Sequence, residues 1–92
     1  SLDGIKEAFL YTIRIYNNIE SFYKVGVTVN IDKRFRSFTS IGYDYDIIKW
    51  VKYPSMLHAF RIEQHIHFKL RKFRYTPIHK FGGYTECYRK VI

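Results

Sequence analysis

Alternating apolar and polar positions predict two β-strands at the start of the chain. In the first, Ala8–Ile15, one face carries Phe9, Tyr11, Ile13 and Ile15. The second, Phe22–Thr28, is rich in aromatic and β-branched residues, and Gly26 within it indicates close approach of another backbone or a ligand. The Asn-rich segment 16–21 between them is short, so a β-hairpin is predicted.

A helical period replaces the alternation after Asn30, which is the predicted N-cap. Ile31, Phe35 and Phe38 form a buried stripe on this helix, and Arg34 lies beside that stripe. The following segment predicts a third strand. It spans Tyr45–Tyr53, and because it is apolar on both faces we expect it to be central or covered by helices.

A second helix is predicted from Pro54 to about Phe73. Its apolar arc consists of Ala59, Ile62, Ile66, Leu70 and Phe73. Glu63 falls inside this arc, and a carboxylate on the buried side of a helix requires a partner. After a turn at 81–84, residues 85–92 form either a short strand or a helix, and the pattern does not decide between them.

The element order predicts an α+β fold with a small three-stranded antiparallel sheet flanked by helices. The 92 residues suffice for one domain, expected to span 1–92. Cys87 is the only cysteine, which excludes an internal disulfide and favours a reducing compartment. No apolar run approaches the ~20 residues of a membrane span, and no signal-peptide pattern is present, so we expect a soluble, intracellular protein in the cytoplasm or nucleoid.

The charge balance favours a polyanionic partner. Sixteen Lys and Arg against eight Asp and Glu give a net charge of +8, and residues 61–92 hold eight basic but two acidic side chains. A basic surface without a function is the alternative. The side chains expected to contact nucleic acid are Arg36, Arg61, Lys69, Arg71, Lys72, Arg74 and Lys80.

Arg34 and Glu63 are charged residues on or beside apolar helix stripes, and they suit phosphodiester hydrolysis. That reaction needs positive charge for the transition state, a proton acceptor and usually a metal ion. An arginine fork suits phosphate, and one carboxylate can hold a hydrated Mg²⁺. The alternative for Arg34 is a side chain that runs along the helix edge with its guanidinium in water.

The motifs around these residues resemble the GIY-YIG nuclease superfamily, in the divergent branch found in phages and large DNA viruses. Leu10-Tyr11-Thr12-Ile13 looks like the first half-motif, and Lys24-Val25-Gly26-Val27-Thr28 looks like the second. Lys24 stands where the family name expects tyrosine. Phe38 stands where some members carry a histidine, which leaves the proton acceptor open. Glu86-Cys87-Tyr88 looks like the closing motif of that branch.

The resemblance implies a DNA endonuclease that uses a single Mg²⁺ or Mn²⁺ ion and no small-molecule cofactor. It implies that Tyr11 orients or deprotonates the attacking water, that Arg34 stabilises transition-state charge and that Glu63 binds the metal. Lys24 would lower the phenol pKa or contact the phosphate, with a solvated lysine as the alternative. Added specificity would come from a further domain, a dimer partner or DNA shape.

Several alternatives remain open at this stage. His67 lies one turn beyond Glu63 and either steadies that carboxylate or the water of a bound metal, or is an ordinary partly buried histidine. His65 and His67 cannot both face one ion, which argues against a zinc site. The chain is alternatively a catalytically inactive DNA-binding module of the same fold, or a small RNA- or protein-binding module in which Arg34 and Glu63 pair with each other.

Overall fold

A computed structural model describes residues 7–91 of the chain, so the outermost residues of the expected 1–92 domain lie outside the description. The predicted hairpin is present. Strand β1 (Ala8–Tyr16) pairs antiparallel with β2 (Ser21–Thr28), and Tyr11 faces Gly26 across the ladder. The Asn17 side chain accepts hydrogen bonds from the backbone N–H groups of residues 19 and 20, which explains why an Asn-rich segment makes this turn.

The third strand, β3 (Asp44–Tyr53), was expected to be central or covered, and this expectation is wrong. The strand order is β3-β1-β2-β4, which places β3 at an edge of the sheet. Ile47, Ile48 and Trp50 are exposed by 53%, 52% and 38%. The reason is that α2 packs mainly on β1 and β2, and α1 contacts β3 near its start through Tyr45, so that apolar side chains farther along the edge strand are left in solvent.

The sheet has four strands rather than the predicted three. The additional strand, β4 (Cys87–Tyr88), pairs with Tyr23 and Lys24 of β2 and resolves the undecided end of the chain as a strand. It follows a 3₁₀ turn at Tyr84–Glu86. The α+β class is confirmed.

Helix α1 (Ile31–Thr39) begins as predicted, because the Asn30 side chain accepts a hydrogen bond from the Lys33 backbone N–H. Helix α2 (Met56–Leu70) is capped by Ser55, so that Pro54 precedes the cap instead of lying in the first turn. A short 3₁₀ segment extends α2 to Phe73, the predicted end.

The two helices cover opposite faces of the sheet. On one face, Tyr11, Ile13 and Ile15 of β1 pack with Phe35 and Phe38 of α1. On the other face, Leu10 of β1 and Val25 and Val27 of β2 pack with Ala59 and Leu70 of α2. Arg34 and Glu63 therefore start from opposite sides of the sheet, and any shared site must form where the sheet ends.

Glu20 fixes the segment that follows α2. Its carboxylate accepts hydrogen bonds from the hydroxyls of Tyr43 and Tyr75 and from the backbone N–H of Ile78. Burial raises the pKa of Glu20, but these hydrogen bonds outweigh burial and lower the pKa below its usual value. Glu20, in the turn of the hairpin, thus holds the segment that follows α2 against the hairpin.

Candidate active site

A chain of polar contacts runs from the hairpin to α2 around the β2 edge of the sheet. Lys24 Nζ donates to the Tyr11 hydroxyl at 3.1 Å and to Glu86 Oε1 at 3.2 Å. Glu86 Oε2 lies 3.5 Å from His67 Nε2, and His67 Nε2 lies 3.5 Å from Glu63 Oε2. Glu86 therefore joins the α1 face of the sheet to the α2 face.

Two glycines allow this packing. A Cβ atom at Gly26 would lie 2.5 Å from the Tyr11 hydroxyl oxygen and 2.9 Å from Lys24 Nζ. A Cβ atom at Gly83 would lie 2.9 Å from Lys24 Cε, and Gly83 also has a φ of +87°, which other residues rarely adopt. Gly26 is a point of close approach, as predicted, but the prediction of a backbone or a ligand as the approaching group is wrong, because two side chains of the chain itself occupy this space.

Tyr11 and Lys24 carry protons at neutral pH. Burial raises the pKa of Tyr11 above its usual value and outweighs the neighbouring charges of Lys24 and Arg34, which lower it. Burial lowers the pKa of Lys24, but Tyr11 and Glu86 outweigh burial and raise it. Lys24 thus acts on the phenol pKa in the expected direction without making Tyr11 a phenolate.

The carboxylates of Glu63 and Glu86 face one nitrogen of His67. Glu63 is only 4% exposed, as its place in the apolar arc predicts. Burial lowers the pKa of His67, but the two carboxylates outweigh burial and raise the pKa to about 9. On the other side of the ring, His67 Nδ1 is 2.5 Å from the Tyr88 hydroxyl. The imidazole is thus oriented from both sides.

Arg34 is half-buried and lines an open cavity of about 580 Å³. The cavity is lined by Thr28, Val29, Asn30, Lys33, Arg34, Ser37 and Gly82. Within residues 7–91 no carboxylate forms a salt bridge with Arg34, and Glu63 contacts His67 instead. The pairing of Arg34 with Glu63, one of the alternatives from the sequence, is therefore not seen. The guanidinium is available to an anion.

Tyr11 and Lys24 lie behind the turn 81–84 rather than in that cavity. They are exposed by 1% and 0%. Gly82 of the turn lines the cavity, and Gly83 covers Lys24. In this conformation neither group meets solvent, so contact with a substrate requires the turn to move.

The seven side chains expected to contact nucleic acid are all exposed, but they do not form one face. Arg36 is on α1, whereas Arg61 and Lys69 are on α2, across the sheet. Arg71 Nη1 donates to the Phe68 carbonyl at 2.7 Å, so this residue also closes the end of α2. The remaining expected residues are Lys72, Arg74 and Lys80.

Sequence reasoning did not assign a role to Glu86 in the site. The signal was present in Glu86-Cys87-Tyr88, because β4 aligns this motif with Lys24. Its Tyr88 contacts His67, and its Cys87 is completely buried. Burial raises the pKa of the Cys87 thiol to about 12, so the thiol stays protonated and packs as part of the core.

The site also fits the divalent metal that the resemblance implies. Single ligand atoms of Glu63, His67 and Glu86 all lie within 4.8 Å of one another. His67 Nε2 is buried and, among the residues described, no acceptor meets it with hydrogen-bond geometry. Because the pKa of His67 is about 9, the ring is protonated at neutral pH, and a metal ion would bind Nε2 by displacing its proton. A buried ring nitrogen without a partner between two carboxylates is a suitable donor set for a cation.

Comparison with known proteins gives a family but no individual relative. No curated protein and no solved structure matches the chain. Every helix within residues 7–91 is too short or too polar to cross a membrane. A family model, the T5orf172 domain, matches residues 8–89, from the first residue of β1 to just beyond β4. This domain occurs in phage and related proteins and is linked to nuclease-like, GIY-YIG-like folds. Because the match covers nearly the whole chain, the protein belongs to the T5orf172 domain family.

Proposed function

We propose that this domain is a metal-dependent endonuclease that hydrolyses phosphodiester bonds in DNA. The observation that supports this most is the continuous contact network from Tyr11 to Glu63, which lies next to a cavity lined by Arg34, a residue that no carboxylate within residues 7–91 pairs with. The family assignment and the net charge of +8 point the same way.

Arg34 binds the scissile phosphate in the open cavity. Its planar guanidinium can hold two phosphate oxygens at once, and the charge that develops on them in the transition state strengthens both hydrogen bonds. Lys33 in the same cavity adds a second positive charge. Thr28 and Ser37 supply hydroxyl groups beside them.

Tyr11 orients the attacking water as a neutral phenol. Its raised pKa makes it a poor general base at neutral pH, so it positions the water through its hydroxyl oxygen or proton. Lys24 is a positioning residue, since its ammonium group holds both the phenol and Glu86.

Glu63 holds the divalent ion, Mg²⁺ or Mn²⁺. When bound, such an ion supplies charge stabilisation to the leaving oxygen. Glu63 is suited to this role because it is nearly buried and its carboxylate points into the network rather than into solvent.

Tests of this function start with supercoiled plasmid DNA incubated with increasing Mg²⁺ or Mn²⁺. We expect metal-dependent nicking by the parent protein and a loss of at least ~10²-fold in the Glu63→Gln variant, whose side chain keeps its shape but loses its charge. The matched control is Glu7→Gln, because Glu7 is an exposed carboxylate that pairs with Lys52. Equal nicking by the Glu63→Gln variant and the parent would contradict the assignment.

A second candidate is a DNA-binding module without catalysis. The burial of Tyr11 and Lys24 favours it, because neither group reaches solvent in the described conformation. Such a module binds DNA with a strong salt dependence but does not cut it, whichever divalent metal is present. The plasmid experiment therefore separates the two functions.

A further inference from the structure

Three side chains from α2 and the end of the chain surround a point suited to one cation. Glu63 and His67 are one helical turn apart on α2, and Glu86 immediately precedes β4. His67 Nε2 lies 3.5 Å from an oxygen of each carboxylate. Ligands that bind one ion at roughly 2.0–2.2 Å stand about 3–3.6 Å from each other, so this spacing suits a shared ion.

Direct hydrogen bonding explains these contacts less well. A distance of 3.5 Å is long for a hydrogen bond to a carboxylate, and His67 Nε2 is buried with no such partner within residues 7–91. The other ring nitrogen, Nδ1, contacts the Tyr88 hydroxyl at 2.5 Å. That arrangement, in which the distal nitrogen is held and the proximal one is free, is typical of histidines that bind metals.

Glu86 is held in the same way. Its Oε1 accepts a hydrogen bond from Lys24 Nζ, whereas its Oε2 faces His67. One oxygen is thus fixed by a cation of the protein and the other is free to serve as a ligand. The Glu86 side chain is also 31% exposed, so an ion can reach the site from solvent.

We propose that Glu63, His67 and Glu86 form a three-ligand metal site that binds a transition metal such as Zn²⁺ more tightly than Mg²⁺. The proposal rests on the proposed function in that both use Glu63 as a ligand, and it adds two ligands and a metal preference. An imidazole ligand favours zinc and similar ions, whereas Mg²⁺ prefers oxygen ligands alone. The spacing of His65 and His67 excludes a zinc site that uses both histidines. The proposed site instead combines His67 with two carboxylates.

Isothermal titration of the protein with Zn²⁺, in buffer containing excess Mg²⁺, tests this site. We expect one tight Zn²⁺ equivalent for the parent and at least ~10-fold weaker binding for His67→Gln and for Glu86→Gln. The matched control is His65→Gln, an exposed histidine on the same helix that we expect to leave this binding unchanged. Equal Zn²⁺ affinity in His67→Gln and the parent, or no preference over Mg²⁺, overturns the proposal.

A measurement on the parent protein covers the case in which a variant fails to fold. In ¹H–¹⁵N spectra of the imidazole rings, Zn²⁺ should shift the Nε2 resonance of His67 and leave that of His65 in place. A shift at His65 alone, or at neither ring, overturns the proposal.

The outcomes also separate this site from the nuclease function. A protein that nicks DNA with Mg²⁺, and whose His67→Gln variant binds Zn²⁺ as tightly as the parent, is a nuclease without the three-ligand site. A protein that binds Zn²⁺ at these three residues but cuts DNA with neither metal has the site without the nuclease function.

Discussion

At the scale of single residues, Gly26 decides whether the candidate site can assemble. It lies opposite Tyr11 in the hairpin ladder, and the Tyr11 hydroxyl and Lys24 Nζ occupy the space that any side chain would fill. The Tyr11 ring cannot easily move away, because Phe35 packs edge-on against it with ring centroids 5.1 Å apart. A larger residue must therefore displace groups from a packed core.

We expect Gly26→Ala to lower the free energy of unfolding by about 1–3 kcal/mol, as overpacking in a core commonly does. Chemical denaturation measures this change. Gly82→Ala is the matched control, since a Cβ atom there would lie 3.8 Å from Ser37 Cβ, an ordinary contact. A Gly26→Ala variant as stable as the control would show that the close packing around Tyr11 is not as described.

The burial and contacts of some of these residues can be predicted from the sequence, whereas those of others cannot. The burial of Glu63 follows from the helical period alone, because its neighbours on the wheel are apolar. The burial of Lys24 does not follow, since it depends on the turn 81–84, which is distant in sequence. The contact between Glu86 and Lys24 likewise depends on the pairing of β4 with β2. This pairing cannot be predicted from the sequence, because β4 has only two residues and therefore no recognisable strand pattern.

At the scale of elements, the turn 81–84 covers part of the candidate site, because Gly83 lies against Lys24. Phe81 anchors it in the core with Phe22 and Phe38, whereas Gly82 is exposed and lies against α1. The Ser37 hydroxyl contacts the Gly82 carbonyl at 3.4 Å, a weak attachment. On the proposed function, opening of this turn is the step that brings Tyr11 into contact with a substrate.

A disulfide between Ser37→Cys and Gly82→Cys should lock the turn. The 3.8 Å expected between the two Cβ atoms is the usual spacing in a disulfide. We expect oxidation of the double variant to reduce nicking at least ~10-fold because the turn can no longer open, and reduction to restore it.

The control is the single Ser37→Cys variant, whose nicking rate should be the same under oxidising and reducing conditions. The native Cys87 is completely buried and does not compete for the new cysteines. If the oxidised double variant nicks DNA as fast as its reduced form, the turn is not a barrier and Tyr11 acts from its buried position or not at all.

The order of elements could be predicted, but their arrangement only in part. The hairpin, both helices and the cap at Asn30 follow from local pattern and capping chemistry. The edge position of β3 does not follow from local pattern, because the sequence of an apolar strand is the same whether a helix covers the strand or it faces solvent. Which strand a helix covers depends on long-range packing rather than on the strand's own composition.

At the scale of the whole molecule, two helices on opposite faces of a sheet contribute to one proposed site. The sheet ends early beside β2 because β4 pairs only with Tyr23 and Lys24, so groups from α2 reach toward the α1 face there. Positive charge is spread over both faces as well, with Arg36 on one and Arg61 on the other. DNA that met only one face would leave the cations of the other face out of contact.

The central claim is that Arg34 acts in the chemical step, and the rate of DNA cleavage at saturating protein tests it most directly. We expect Arg34→Ala to lower this single-turnover rate at least ~10²-fold with little change in Kd, because the guanidinium acts mainly on transition-state charge. Arg36→Ala, an exposed neighbour on the same helix, should weaken binding and leave the saturated rate within about 2-fold. Cleavage by Arg34→Ala at the rate of the parent would contradict the account.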